Sequence, residues 1–542
     1  MTFDLPDDGP LLAGPAIAGG NATVRGGDGR PHVAVVTDAF APLEDADLYV
    51  LREGDGRGLR KLKRRARGAI VAGPSSPRSN FDRWPADVLV MRPAPDAEQT
   101  AREALRAGVR AGGRPLLVDV AEPVPAESLV AALDVGAAGV VIDTGNEEAD
   151  ATLLTELAER EAHRLDDAPL MTVAICVYNA AGDLDRCLAS LRPLRYPRYE
   201  VLVCDDGSTD GTAAVGKRYE ARVLELGRVG RGKARSAAIK EAFGDYVVFL
   251  DSDEEAEPEW LARLWRMHDR LGVITTGGPN RPFPDANWQE RAVGGAPGVA
   301  MPIVRADGTC THLPTCNFSI RTDVARTVGF NENLPVLGED LHICYRLIES
   351  GRQLFFHPTA SVRHHRRRSI VGYLKQMYDY GRYARATNEP LNFNLVDVET
   401  DVSLIRRLDP RRPHVCFVGP QADQRYNLAF APLANGFPVK VMMATGAAAA
   451  VAVPAAWRAG QLRPALALTA AALVGQVGYV IARAPAQPGA RGLAAVSNRL
   501  LTAALWYAGP SAMAVGKHLS PTPDMPELAP SAEPEPEATA AR

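Results

Sequence analysis

Short apolar runs alternate with stretches of helical spacing through residue 394, after which the chain turns polar and basic and then strongly apolar. The first set of runs is HVAVVT (32–37), DLYVL (47–51), AIVA (69–72), DVLVM (87–91), PLLVDV (115–120) and GVVI (139–142). Between them, AEQTAREALRAGV (97–109) and AESLVAALDVG (126–136) place apolar residues on one helical face. This order predicts a smaller α/β domain with parallel strands over 31–165. A second alternation begins at MTVAICVYN (171–179), with strands at YEVLVC (199–204), ARVLEL (221–226) and DYVVFL (245–250). Helical patterns fall between them at 183–192, 209–219 and 233–243, so a second α/β domain is expected over 168–395. Residues 1–30 and the tail over 518–542 lack periodicity and read as disordered, and 396–440 reads as a basic linker.

Three uncharged stretches, 441–457, 464–482 and 500–516, each lie between basic residues. A bilayer crossing needs about 20 apolar residues, with a range of about 17–25, so all three are short. Their Ala and Gly content suits close helix packing but makes each only weakly hydrophobic. They predict transmembrane helices over 441–517, and hence a cell-membrane protein. The alternatives are a soluble helical bundle or helices lying on the interface. Three spans put Arg483, Arg491 and Arg499 in a cytoplasmic loop, whereas two keep the acidic tail inside.

A length of 542 residues exceeds what one core supports, so two or three domains are expected. The net charge of -4 excludes a generally basic nucleic-acid binder. Seven cysteines without a CxxC pair do not form a secreted disulfide framework or a zinc site. The first residues, MTFDLPDDGP, have acidic flanks and no apolar core, so no export signal is expected and the second α/β domain is placed in the cytoplasm.

Four segments carry candidate chemistry. In VLVCDDGSTDGT (201–212) an apolar run ends in Asp205 and Asp206, where ligands bind in an open parallel sheet. The plainer reading is an Asx turn before a helix cap. In DYVVFLDSDEEAEPEW (245–260) a second run ends in Asp251 and Asp253, oxygen ligands for a hard divalent cation beside a diphosphate. In VLGEDLHICYRLIESG (336–351) Glu339 and Asp340 open a helix, either complementing its dipole or supplying a general base. In SVRHHRRRSIVGYLKQMYDYGRY (361–383) Arg366 and Arg367 suit phosphate oxygens or anionic headgroups, and His364 is a candidate metal ligand.

In this order the segments resemble the family 2 glycosyltransferases with a Rossmann-like GT-A fold, over about 171–383. AICVYN is similar to the family's first strand, with Tyr178 and Asn179 in the usual places and Cys176 and Val177 where Pro and Thr are usual. The resemblance implies that Asp206 contacts the nucleobase and that Lys233 or Arg235 faces the nucleotide. It further implies that Asp251 and Asp253 serve sugar diphosphate and metal, and that Asp340 of the Glu-Asp pair is the catalytic base. HHRRRS followed by QMYDYG resembles a bacterial cell-envelope subgroup, and no Gln-x-x-Arg-Trp of processive synthases follows. The implied activity is metal-dependent (Mg2+ or Mn2+), inverting transfer from a nucleotide-sugar donor to a glycan or lipid-linked acceptor. The rival readings are a nucleotidyltransferase, which leaves the helix acids of 336–351 unexplained, and a non-catalytic membrane scaffold.

Overall fold

The computed structural model describes residues 11–17, 21–25, 31–36, 48–50, 70–74, 88–111, 116–142, 144, 146–283, 285–294, 296, 303–305, 307–310, 313–332, 338–365, 367–391, 415–418, 425–427, 437–458, 461–483 and 492–519. Eight strands close into a barrel in chain order. They are β1 (Leu11–Ile17), β2 (Asn21–Arg25), β3 (Pro31–Val36), β4 (Leu48–Val50), β5 (Ile70–Pro74), β6 (Val88–Met91), β7 (Leu116–Val120) and β8 (Gly139–Ile142). β3 through β8 run parallel, β8 pairs parallel with β1, and β2 is antiparallel to both its neighbours. Helices α1 (Ala97–Ala111), α2 (Ala126–Asp134) and α3 (Glu147–Ala162) belong to this unit.

Each of the six apolar runs expected over 31–165 thus lies on a strand, but the layer they form is closed rather than open. The expectation of disorder over 1–30 fails at β1 and β2. Those segments have no clear side-chain period, and they are recruited by backbone pairing that removes both free edges of the sheet.

The second unit contains β9 (Met171–Val177), α4 (Ala181–Leu191), β10 (Tyr199–Asp205), α5 (Thr212–Arg218), β11 (Arg222–Glu225), α6 (Arg231–Glu241) and β12 (Tyr246–Leu250). It continues through β13 (Glu254–Ala256), α7 (Trp260–Leu271), β14 (Thr275–Gly277), β15 (Asn280–Arg281), α8 (Trp288–Gly294), β16 (Ile303–Arg305), β17 (Thr309–Cys310) and β18 (Asn317–Arg321). After these come α9 (Thr322–Val328), α10 (Glu339–Glu349), β19 (Leu354–Phe356), β20 (Val362–His364) and α11 (Ile370–Leu391). β9 is apolar and buried almost throughout, as a strand covered on both faces must be. It pairs parallel with β10 and β12, so all three end at one edge of the sheet, with Val177 beside Asp205. β18 then adds antiparallel to β12, and β13, β20 and β15 form a separate small sheet.

The expected linker over 396–440 contributes β21 (Val415–Val418) and β22 (Arg425–Asn427), which extend the main sheet beyond β16. Helices α12 (Phe437–Arg458), α13 (Leu462–Arg483) and α14 (Gly492–Leu519) follow. Among the described residues, no helix is long and apolar enough to cross a membrane. The three helices overlap the stretches expected to span, but Pro454 lies inside α12 and Gln476 of α13 donates to Thr445 of α12 at 2.6 Å. α14 instead packs along α11: Leu505 joins Tyr373 and Met377 in a buried cluster, and Gly509 and Gly516 admit the close approach of Tyr373 and Tyr378.

Candidate active site

The three parallel strand ends assemble the donor-side residues. Tyr178 and Asn179 follow β9, and Asn179 takes a left-handed backbone conformation (φ 48). Its side-chain oxygen accepts the Thr209 N–H at 2.8 Å while its own N–H donates to the Ser208 hydroxyl at 2.9 Å, which ties the turns after β9 and β10 together. Asp206 is buried, and its Oδ1 accepts from Val229 and Gly230 N–H at 2.6 and 2.9 Å. Its Oδ2 accepts from Arg228 at 2.7 Å. The Arg228 guanidinium lies 3.4 Å from the centre of the exposed Tyr178 ring. Gly207 lets the loop backbone at Arg228 come close, because a Cβ there would lie 2.9 Å from the Arg228 backbone nitrogen.

Beyond β12, Asp251, Asp253 and His364 bring one ligand atom each within 4.8 Å of one another. Antiparallel pairing of β13 with β20 sets Glu254 opposite His364 and thereby delivers the imidazole to Asp253, 3.6 Å away. Burial would raise the Asp253 pKa, but the hydrogen bond and charge of His364 outweigh it and hold the carboxyl below its usual value. Among the described residues, the buried Nδ1 of His364 has no hydrogen-bond partner. Two carboxylates with an imidazole are a donor set that suits Mn2+ as well as Mg2+.

Arg235, buried on α6, joins this cluster to the helix acids. Its guanidinium is 3.3 Å from Asp251 and forms an ion pair with Glu339 in the first turn of α10. Burial alone would lower the Arg235 pKa, yet the Glu339 and Asp251 carboxylates raise it, so the guanidinium is a fixed cation. Burial pushes the Glu339 carboxyl up against the pull of Arg235, and its Oε2 accepts no hydrogen bond from the described residues. Gly338 caps α10 in a left-handed conformation (φ 91), which places half-buried Asp340 beside Glu339 at the helix start.

Comparison with known proteins finds similarity to glycosyltransferases. A family model described as "Glycosyl transferase family 2" matches residues 172–329. Residues 172–329 are a family 2 glycosyltransferase domain. Glycosyltransferase AglE of Haloferax volcanii is 30% identical over 196 residues, 35% of this chain and 64% of that protein. A pre-mycofactocin glycosyltransferase of Mycobacterium tuberculosis is 30% identical over 224 residues, 39% of this chain and 46% of that protein. The match therefore spans about half to two thirds of these relatives' own lengths. Among solved structures, mannosyltransferase PcManGT from Pyrobaculum calidifontis, in complex with GDP-Man and Mn2+, aligns at 20% identity and a TM-score of 0.32, covering 56% of this chain and 87% of its own.

Within the glycosyltransferase domain and the residues that follow it, Tyr178, Asn179, Asp206, Arg235, Asp251, Asp253, Glu339, Asp340 and His364 are placed as described above. Lys233 stays on the exposed face of α6, because two residues along a helix turn a side chain well away from its neighbour. Arg367 is exposed, and Arg366 lies outside the described residues. His365 is engaged apart from the cation cluster: it meets the buried Glu290 carboxylate at 3.0 Å and stacks on Phe283 at 4.0 Å. Arg228 is the residue that sequence reasoning missed. Its only signal is its place between Gly227 and Gly230, both with positive φ.

Proposed function

We propose that the chain is an inverting, metal-dependent glycosyltransferase that moves a sugar from a nucleotide-diphosphate sugar to a hydroxyl of a glycan or lipid-linked acceptor at the cell membrane. The observation that carries this reading is the convergence of Asp251, Asp253 and His364 with the start of α10, joined through Arg235. A divalent cation held by Asp251, Asp253 and His364 would neutralise the donor diphosphate. Tyr178 offers a flat face for the base, and Asp206 would exchange its loop N–H bonds for the base's own donors. Asp340 takes the proton from the acceptor hydroxyl as that oxygen attacks the anomeric carbon, and the nucleoside diphosphate departs on the opposite side. Glu339 is buried and ion-paired with Arg235, which argues against it as the base. The test is turnover against a panel of nucleotide sugars with products identified. Free nucleoside diphosphate is expected, whereas pyrophosphate would make the chain a nucleotidyltransferase.

Membrane attachment is part of this reading and rests on the apolar side chains that α12 and α13 expose. Val451, Trp457, Leu468 and Val474 are each at least 70% exposed. Burying such a side chain in an apolar phase contributes about 1.5–3 kcal/mol. Replacing Val451, Leu468 and Val474 together by Glu should therefore move the protein from the carbonate-washed membrane pellet to the supernatant without lowering its thermal stability. Unchanged pelleting would remove these helices from the attachment.

A further inference from the structure

The barrel domain has no part in the chemistry above, yet its helices bear on the segment that delivers His364. The fully buried carboxylate of Asp134, at the end of α2, accepts from Arg164 Nε at 3.1 Å and from Arg270 Nε at 2.8 Å. Arg270 belongs to α7 of the glycosyltransferase domain, so this acid joins the two units. The Asp134 carbonyl also accepts the Nε2–H of His357 at 3.3 Å. His357 is fully buried, and its Nδ1 accepts the N–H groups of Thr359 and Ala360 at 3.2 and 3.1 Å. Burial lowers its pKa to about 3, which keeps one ring nitrogen a donor and the other an acceptor. The next residue, Pro358, lies against two barrel-domain glycines. A Cβ at Gly136 would come within 2.6 Å of its Cγ, and one at Gly108 within 2.9 Å.

From Pro358 to His364 the chain has no slack. Arg263 donates to the Thr359 carbonyl at 2.8 Å and Asn317 to the Ala360 carbonyl at 2.9 Å. The Ser361 hydroxyl donates to Glu257 at 2.6 Å, and the Val362 N–H to the Pro279 carbonyl at 3.1 Å. β20 then pairs with β13, one residue past Asp253. Residues 359–362 thus form a short, closely held segment between Pro358 and the imidazole.

We infer that the N-terminal barrel domain is a positioning element of the active site, holding the cation ligand His364 in place through Asp134, Gly108 and Gly136. This rests on the reading of Asp251, Asp253 and His364 as a cation site, and makes Gly108 and Gly136 positioning residues rather than catalytic ones.

Gly108 allows a selective test because it lies inside α1, where Ala and Leu are better helix formers than Gly. Substitution there favours the helix itself while pressing on Pro358. Mn2+ binding is measured without donor on the full chain, from the loss of the free-ion electron paramagnetic resonance signal. Gly108→Leu should weaken Mn2+ binding about 10-fold or more, the usual cost of disturbing the groups that orient a metal ligand. Gly108→Ala should weaken it less, and Pro358→Ala in the Gly108→Ala background should restore it by removing the ring carbon that the new methyl meets. If Gly108→Leu fails to fold, the Gly108→Ala pair decides. Wild-type Mn2+ affinity in the Gly108 variants, with affinity lost in Asp253→Ala, would overturn the positioning role alone. A wild-type chain that takes up no Mn2+ would overturn the cation site and this inference together.

Discussion

Asp253→Ala is expected to lower turnover by about 10²–10³-fold or more, the scale on which one preorganised electrostatic group acts. The protein should remain folded, because the carboxylate stands at a strand end with its side chain 42% exposed and contributes nothing to the apolar core. Its pKa is held below the usual value by His364 despite partial burial, so at neutral pH it is the ionised form that is lost. Chelation by EDTA should reduce the wild type to a similar level, and added Mn2+ or Mg2+ should rescue the wild type far better than the variant. The measurement is the initial rate against cation concentration, with the thermal transition recorded on the same samples. Full activity in EDTA would rule out the cation's role.

Asp340→Asn should cost about 10²-fold or more in the rate constant while donor affinity stays within a small factor. Asparagine keeps the shape and a hydrogen-bonding oxygen but cannot take a proton. The neighbouring acid should not substitute for it, because Glu339 is buried and paired with the Arg235 guanidinium. Donor affinity measured by calorimetry separates the possible outcomes. Loss of donor binding in place of turnover would move Asp340 to the donor side of the site.

The parts of this site that could be read from sequence are those where an apolar run stops at a charged residue. VLVC before Asp205 and Asp206, and VVFL before Asp251, announce strand ends, and parallel strands bring such ends to one edge. Pairings between distant segments leave no such mark. Arg235 and Glu339 are 104 residues apart, and nothing in the local pattern of either points to the other. The adjacent histidines 364 and 365 look alike in sequence, and only the pairing of β20 with β13 assigns one to Asp253 and leaves the other to Glu290. Barrel closure is illegible for the same reason, because the β1–β8 pairing joins segments whose own composition favours no strand order.

The shared guanidinium of Arg235 constrains how this domain can be recombined. Grafting into this chain an α10 segment that lacks a carboxylate at position 339 would leave the buried guanidinium with the more exposed Asp251 as its remaining ion-pair partner among the described residues. Breaking a buried pair by removing one partner costs about 3–5 kcal/mol, a large fraction of a domain's stability. Chimeras should therefore keep their stability only when the new α10 retains that carboxylate or when α6 is exchanged together with it.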